Sequence, residues 1–225
     1  VNVCHDGNYL SYGATRVELP SQEEVDAFLP PPSVNWHAAL DPSRPMAIDP
    51  LTGGAGGPGP SLFVRYRKGQ CAGMQNALAA IEAAHEDWAR VVGRRHAPLV
   101  ERYRMDDAEV ALVTLGSMTG AAKDAVDEAR DRGQRVGLVK VKTYRPFPVQ
   151  AIAAALNGLK AVGVVDRSVS FGWNSGPLFQ DVIGALQFAP QRPAAMSFIG
   201  GLAGADITTD HFGRAIERVQ ALARD

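Results

Sequence analysis

Charged and hydroxyl side chains follow a buried apolar run at Asp166-Arg167 and Ser168, and two glycines, Gly116 and Gly120, enclose the turn after another such run. Glycines let a backbone approach a ligand closely, and the helix that begins at this turn offers unpaired N–H groups that attract anions. The spacing differs from the dinucleotide-binding fingerprint, however. Tight strand–helix turns therefore explain the glycines better than a nucleotide site does.

Three other arrangements lack the spacing that their chemistry requires. The string GWNSG at 172–176 is similar to a nucleophile elbow, but its serine lies one place late and no strand leads into it. The five histidines are scattered without the spacing of zinc ligands. The Gly-rich run at 52–60 has neither the preceding strand nor the Gly-Lys-Ser/Thr ending of a phosphate loop. We interpret this run as a flexible excursion over a partner or an active-site mouth.

A repeated alternation of strands and helices must position the polar residues. Apolar runs predict strands at 109–115, 135–141, 161–165 and 195–199, and amphipathic patterns predict helices at 118–132, 176–187 and 208–224, with a short helix beginning near Pro148. Successive parallel strands require helical crossovers, so the pattern predicts an α/β fold with a doubly wound, mostly parallel sheet.

The turns of this sheet should meet at one edge. They lie at 116–120, 142–148, 166–176 and 200–206. Folds of this class usually bind ligands at that edge. Ser117 is placed to cap the helix that follows it. The alternating stretch 100–105 predicts an additional edge strand, whose Arg102 and Arg104 face solvent.

The first part of the chain is a loop-rich segment followed by a helix. Ser21 and Glu24 have the spacing of a capping box, and the helix that they begin must end at Pro30. A second helix is predicted at 72–92, with an apolar face made of Met74, Leu78, Ile81, Trp88 and Val92. His85 lies on this face, where a hydrogen-bonded core histidine is a better interpretation than a catalytic one.

The composition of the chain limits its possible domain number, partners and cellular environment. The 225 residues are 46% hydrophobic, enough for a sizeable core in one large or two small domains. The formal net charge of −1 comes from interspersed charges and gives no reason to expect a nucleic-acid or anionic-membrane partner. No apolar run approaches the roughly 20 residues of a membrane span. Cys4 and Cys71 are far apart, which is typical of reduced thiols in a cytoplasmic protein.

Several strings, taken together and in order, resemble one family over almost the whole chain. They are DGNYLS (6–11), VELP (17–20), VDAFLP (25–30), LVTLGS (112–117), YRPFP (144–148), VDRS (165–168), GPLF (176–179) and GGLAG (200–204). The family is the alpha subunit of 2-oxoacid:ferredoxin oxidoreductases, the pyruvate synthase group, and the chain is similar to its C-terminal portion.

The resemblance implies two domains. Residues 1–105 would hold the end of a pyrimidine-binding-type domain with a linker and a helix, and residues 106–225 would form an α/β domain that resembles the transketolase C-terminal domain. The run at 1–4 looks like a closing strand of the first domain. We therefore expect the parent polypeptide to extend upstream, and no thiamine-activating glutamate is assigned to this sequence.

The resemblance also implies an activity. Such a complex decarboxylates a 2-oxoacid on thiamine diphosphate, transfers the acyl group to coenzyme A, and passes electrons through iron–sulfur clusters to ferredoxin or a related acceptor. Thiamine diphosphate and magnesium would be bound by a beta subunit and the clusters by beta or delta partners, with a gamma subunit completing the complex. Two cysteines cannot hold a four-cysteine cluster.

No catalytic, cofactor-binding or metal-binding residue is assigned to this chain. Candidates for one wall of a substrate or coenzyme A channel, or for a subunit interface, are Ser117, Thr119, Arg145, Asp166, Arg167 and Asn174. An arginine suits a carboxylate or a phosphate. For each candidate, the alternative that it braces a turn or an interface carries more weight.

The first hypothesis is that the chain is a portion of a thiamine-dependent oxidoreductase. A second hypothesis is a free-standing doubly wound domain that binds a nucleotide or acts as a scaffold. A third is a complete small enzyme that uses the strand-end loops. Long irregular segments are unusual in a free-standing domain, so the first 72 residues favour the complex. Pyruvate, 2-oxoglutarate, branched-chain and aryl 2-oxoacids all stay open as substrates, and NAD stays open as an acceptor through an extra flavin subunit.

Overall fold

The computed structural model describes Cys4, Gly7, Ser43 and residues 9–29 and 62–224. The Gly-rich run at 52–60 and, apart from Cys4, the strand predicted at 1–4 lie outside the described residues. The helix predicted to stop before Pro30 ends at Phe28.

Helices and strands alternate through the second half of the chain, as predicted. The helices are α1 (Tyr9–Tyr12), α2 (Gln22–Phe28), α3 (Leu62–Val92), α4 (Thr119–Asp131), α5 (Val149–Leu156), α6 (Pro177–Leu186) and α7 (Thr209–Leu222). The strands are β1 (Val100–Tyr103), β2 (Val110–Leu115), β3 (Val136–Val141), β4 (Ala161–Asp166) and β5 (Ala194–Ile199), and a 3₁₀ turn lies at Leu202–Gly204. Each predicted strand and helix of this half is present to within a few residues.

The five strands form one sheet in the order β1-β3-β2-β4-β5. β2, β3, β4 and β5 run parallel, whereas β1 pairs with β3 in the antiparallel sense. Helices α4 and α7 pack together on one face, and α5 and α6 pack together on the other. The predicted α/β fold with a doubly wound, mostly parallel sheet is confirmed, as is an edge strand with exposed Arg102. This strand ends at Tyr103, earlier than predicted, and the exposed Arg104 follows it with a left-handed φ of 55°.

Two apolar cores lie on the two faces of this sheet. One buries Leu112 and Leu138 beneath Val126 of α4 and Phe212 of α7. The other buries side chains of β2, β3 and β4 beneath α5 and α6. Alternate strand residues supply the two cores, so every central strand is covered on both faces, which explains its almost uninterrupted apolar sequence. Gly163 of β4 permits this packing, because a Cβ there would lie 2.5 Å from a Val219 methyl group.

The chain divides into two compact units by its internal contacts. The first contains residues 1–16 and 97–225, and with them the whole sheet. The second contains residues 17–96. None of the described side chains in the second unit is buried.

The second unit contains α2 and α3. The Ser21–Glu24 capping box is confirmed in both directions, with Ser21 N–H donating to Glu24 at 2.7 Å and Glu24 N–H donating to Ser21 Oγ at 3.2 Å. The rings of Phe28 and Trp88 meet edge to face at 5.2 Å. His85 hydrogen-bonds the Ile81 carbonyl at 2.9 Å, but it is only half-buried.

Helix α3 starts ten residues earlier than the predicted residue 72. Five of the ten residues at 62–71 are good helix formers, and the apolar periodicity that defines the predicted helix begins only at Met74. Leu78 is half-buried on this face, whereas Met74 is exposed. The apolar stripe is therefore covered only partly within this unit.

Candidate functional site

The loops after β2 and β4 enclose a pocket at the carboxyl edge of the sheet. Its volume is about 200 Å³, and its walls are mostly apolar. They consist of Leu115, Met118, Tyr144, Val165, Asp166, Arg167, Ser168, Pro177 and Leu178. In the strand order, β3 lies on one side of β2 and β4 lies on the other, so the crevice between β2 and β4 is the switch point where open α/β sheets bind ligands. The predicted convergence of the turns at one edge is confirmed.

Asp166 lines this pocket, and its side chain caps the first turn of α6. The residue is 4% exposed, and its carboxylate accepts hydrogen bonds from the backbone N–H groups of Leu178 at 2.9 Å and Phe179 at 3.1 Å. These donors belong to the first turn of the helix, where N–H groups lack partners within the helix. Burial raises the pKa of Asp166, and the two N–H donors oppose that rise.

Gly176 leaves room for this carboxylate. A Cβ at Gly176 would lie 2.0 Å from the Asp166 carboxyl carbon, so no other residue fits without displacing Asp166. The Gly176-Pro177 pair, at the N-cap and the first position of α6, indicates a helix start in the sequence. It does not reveal that a residue ten positions upstream supplies the cap.

Arg167 connects three of the strand-end loops. Its guanidinium donates to Ser117 Oγ at 3.3 Å after β2 and to the Gly201 carbonyl at 3.5 Å after β5, and the arginine itself follows β4. The prediction that Ser117 caps α4 is wrong. Met118 occupies the cap position in a helical conformation with no side-chain cap bond, while the Ser117 hydroxyl bonds Arg167 instead.

Thr119 holds the start of α4. Its buried hydroxyl donates to the Gly116 carbonyl at 2.9 Å and lies 3.0 Å from the hydroxyl of Thr114. Gly116 itself has a φ of 78°, a left-handed conformation that favours glycine. The Thr119 side chain is therefore engaged in the turn and does not line the pocket.

Arg145 pairs with a residue that the sequence analysis missed. Its guanidinium donates to both carboxylate oxygens of Asp181 in α6, at 3.2 and 2.9 Å, and lies 4.1 Å from the centre of the Tyr144 ring. Burial, and secondarily the neighbouring Asp181, raise the pKa of Tyr144. Asp181 is the only charged residue between Arg167 and Arg192 in the sequence, a signal that could have identified it.

Asn174 lies in a loop that carries exposed aromatic side chains. Ser170 and Ser175 pair across the loop, and Asn174 adopts a left-handed φ of 49°. Phe171 is 94% exposed and Trp173 is 72% exposed. We call residues 167–176 the aromatic loop.

The structure thus brings three of the six candidates, Ser117, Asp166 and Arg167, to the pocket and its rim. Thr119 and Arg145 lie in the adjoining turns with their polar groups engaged, and Asn174 lies in the aromatic loop. Channel and interface roles for the six stay predictions. In the described part of the chain, no group of His, Cys, Asp and Glu side chains is arranged to hold a metal ion. None of the described helices has the length and apolarity needed to cross a membrane.

The two cysteines bear on the cofactors that the resemblance implies. Cys4 and Cys71 are both unpaired and exposed, and two thiols do not match the four ligands of an iron–sulfur cluster. The residues of this chain therefore do not fit such a cluster.

The sequence matches one protein-family model and is similar to known oxidoreductase subunits. Residues 108–212 match the family model "Pyruvate:ferredoxin oxidoreductase core domain II". The alpha subunit of NADH-dependent phenylglyoxylate dehydrogenase from Aromatoleum evansii is 63% identical over 222 residues, which are 99% of this chain and 53% of that protein. Pyruvate synthase subunit PorA from Methanosarcina barkeri is 35% identical over 222 residues, again 99% of this chain and 53% of that protein.

Among solved structures, a split-gene transketolase matches 58% of this chain and 44% of its own, with 19% identity and a TM-score of 0.45. The chain spans about half the length of the curated relatives it matches. The family model and the identity to these relatives over almost every residue agree with the resemblance seen in the sequence. The chain belongs to the family of 2-oxoacid:ferredoxin oxidoreductase alpha subunits, the pyruvate synthase group.

Proposed function

We propose that this chain is part of the alpha subunit of a thiamine-diphosphate-dependent 2-oxoacid oxidoreductase complex. The observation that carries the proposal is the 63% identity, over 99% of the chain, to the alpha subunit of a phenylglyoxylate dehydrogenase. The complex oxidatively decarboxylates a 2-oxoacid and transfers the acyl group to coenzyme A. Its electrons pass through iron–sulfur clusters to ferredoxin or a related acceptor. We place it in the cytoplasm.

The same identity narrows the substrate and the acceptor. The relative is named for phenylglyoxylate, an aryl 2-oxoacid, and for NADH. We therefore propose phenylglyoxylate as the substrate and NAD as the final acceptor, with pyruvate as the alternative on the strength of the relatives at 35% identity. Electron transfer from iron–sulfur clusters to NAD requires a flavin-bearing partner, because clusters give up one electron at a time and NAD accepts a hydride.

The groups that perform the chemistry belong, in this proposal, to other parts of the complex. Thiamine diphosphate supplies the carbanion-stabilising chemistry when it is bound with magnesium by a beta subunit. The clusters are held by beta or delta partners, and a gamma subunit completes the assembly. In this proposal, residues 1–105 are the end of a pyrimidine-binding-type domain with its linker and helix, and residues 106–225 are a transketolase C-terminal-like domain.

The structural role of the chain is supported by how its strand-end polar groups are used. Asp166 holds the start of α6, Arg167 holds the Ser117 turn and the Gly201 turn, and Arg145 is paired with Asp181. Groups that are engaged in this way fix loops in place. The result is a rigid edge on which other subunits can build a channel.

An interface role is supported by exposed apolar side chains. Phe171 and Trp173 of the aromatic loop are largely exposed, and no charged residue lies between Arg167 and Asp181. Tryptophan anchors are enriched in protein interfaces. Tyr66 and Met74 of α3 add exposed apolar surface in the other unit.

The proposal is tested by purifying the protein from its native source under anoxic conditions without removing its partners. Iron, thiamine and flavin contents are measured, and 2-oxoacid-dependent reduction of NAD and of ferredoxin is assayed with coenzyme A. We expect larger subunits to co-purify and phenylglyoxylate to be oxidised with NAD. A lone 24.0 kDa species without iron or thiamine would contradict the proposal and favour the free-standing nucleotide-binding or scaffold domain. Activity with pyruvate alone would reject only the narrower substrate assignment.

A further inference from the structure

Three lysines surround one carboxylate on the face of the sheet that α4 covers. Glu101 of β1 lies directly opposite Lys140 of β3 in the antiparallel pair. Lys123 of α4 forms an ion pair with Glu101. Lys142 follows Lys140 by two residues, and its backbone continues the ladder with a 2.9 Å bond to the Leu99 carbonyl, so both lysines face the same way. We call these four residues the lysine cluster.

The lysine cluster carries an excess of two positive charges. Glu101 can neutralise only one ammonium group, and Lys123 takes that role. Lys140 is half-buried and has no hydrogen bond or ion pair within the described part of the chain. Burial, and secondarily the charges of Lys142 and Lys123, lower the pKa of Lys140. The hydrogen bond from Lys123, aided by the charges of all three lysines, lowers the pKa of Glu101 against the effect of burial.

The carboxylate of Asp127 is engaged by residues outside the lysine cluster. Asp127 lies further along α4, and its two oxygens accept from Tyr103 at 2.5 Å and from Arg104 at 3.0 Å. Lys123 Nζ lies 4.9 Å from the centre of the same Tyr103 ring. Lys123 is paired with Glu101, whereas the ammonium groups of Lys140 and Lys142 have no ion-pair partner among the described residues.

We infer that the lysine cluster is a binding site for a dianionic phosphate group. The group's two negative charges match the two that the cluster lacks, and lysine ammonium groups bind phosphate as point charges. The cluster lies at the carboxyl end of β3, beside the turns that these folds use for ligands. A single carboxylate of an acidic protein segment would supply only half of the required charge. This inference is independent of the proposed function.

Binding of inorganic phosphate to the full chain, measured by isothermal titration calorimetry at constant ionic strength, tests the inference. Replacing Lys140 and Lys142 together by methionine keeps their apolar stems and should weaken binding by about tenfold or more, because each removes a charge-assisted contact. Lys160→Met is the matched control. Lys160 pairs with Glu109 at the opposite end of the strands, so its loss should leave phosphate binding unchanged.

Glu101→Gln is a second variant, and it should change the affinity for phosphate in the opposite direction. It removes the competing carboxylate and releases Lys123, so phosphate should bind more tightly.

Adenosine monophosphate serves as a phosphate ester. If it binds more tightly than inorganic phosphate, with the same dependence on the lysines, the natural ligand is a larger phosphate-bearing molecule. If the two bind equally, the natural ligand is the free ion. Phosphate binding that ignores the Lys140 and Lys142 replacements overturns the inference. Binding of a glutamate-rich peptide in place of phosphate does so too, and assigns the cluster to an acidic partner.

Discussion

The sheet unit and the unit of α2 and α3 use apolar side chains in different ways. In the sheet unit, Leu112 and Phe212 are almost completely buried between strands and helices of the same unit. In residues 17–29 and 62–96, the comparable side chains of Ile81 and Trp88 are only half-buried. The hydrophobic effect stabilises a fold in proportion to the apolar area removed from water. The first unit therefore contains its own stabilising core, and the second leaves apolar area for contacts beyond itself.

The largest effect that separates the two units is expected from shortening one apolar side chain in each. Leu112→Ala removes a fully buried side chain and should lower the free energy of unfolding by about 2–5 kcal/mol. Ile81→Ala, in α3, should cost about 1 kcal/mol, because its side chain is only half-buried. Urea denaturation of both variants measures the difference. Equal losses would mean that α3 is packed as tightly as the sheet.

A smaller effect is expected from adding a methyl group at the pocket. Gly176→Ala places a Cβ against the Asp166 carboxyl group and should lower the free energy of unfolding by about 1–3 kcal/mol. Gly120→Ala is the matched control, because its Cβ meets no atom within 4 Å and it lies in the first turn of α4. The control should stabilise the protein by about 0.4–1 kcal/mol. Thermal melts compare the two, and a neutral Gly176→Ala would contradict the close contact.

The pH dependence of stability should show the buried carboxyl group of Asp166. Its pKa is raised above the ordinary value of 3.8, so the folded chain holds that proton more tightly than the unfolded chain does. The contribution of Asp166 to the free energy of unfolding therefore falls as pH rises above that value. The contribution of Asp127 to the free energy of unfolding changes with pH in the opposite direction. The pKa of its carboxyl group is lowered, chiefly by its hydrogen bond from Tyr103.

The Asp166 contribution is isolated by comparison with Asp166→Asn, which does not titrate. The difference in the free energy of unfolding between the original chain and this variant is measured from pH 3 to pH 7. We expect the difference to shift against the original chain as pH rises. The reverse slope would show that the two N–H donors outweigh burial at this site.

The smallest effect on stability is expected at the aromatic loop. Trp173→Ser should change the free energy of unfolding by less than about 0.5 kcal/mol, because the side chain is 72% exposed. Under the proposed function, the effect of this substitution should appear in association with partner subunits, measured by co-purification. Phe188→Ser, an exposed aromatic residue after α6, is the control that should leave association unchanged. Loss of stability with intact association would show that the loop is part of the fold and no interface.

The sequence predicted the elements well where periodicity carries the information. Strands buried on both faces read as unbroken apolar runs, so β2 and β4 were located to within a residue. The start of α3 was missed because exposed helical residues such as Arg65 and Lys68 leave no apolar period. Local patterns define an element only where one of its faces is covered.

The candidate site was predicted at the level of loops and not of contacts. Parallel topology alone brings the turns after β2 and β4 to one edge, whereas the partner of each side chain depends on packing. Arg145 and Asp181 are separated by 36 residues, and Arg167 and Ser117 by 50. Sequence spacing carries no signal over such distances. The Ser117 cap failed for this reason, since a distant arginine competes for the same hydroxyl.

The two edges of the sheet differ in a way that bears on growth of the sheet. Two of the four residues of β1, Glu101 and Arg102, are charged, and charged side chains on an edge strand discourage further strands from adding there. β5 has the sequence AAMSFI, without a charge or a proline, and no strand of the described part of the chain pairs with its outer side. An extended segment from another polypeptide therefore joins the sheet more readily beside β5 than beside β1. The same difference makes β5 the strand through which the isolated chain is expected to aggregate.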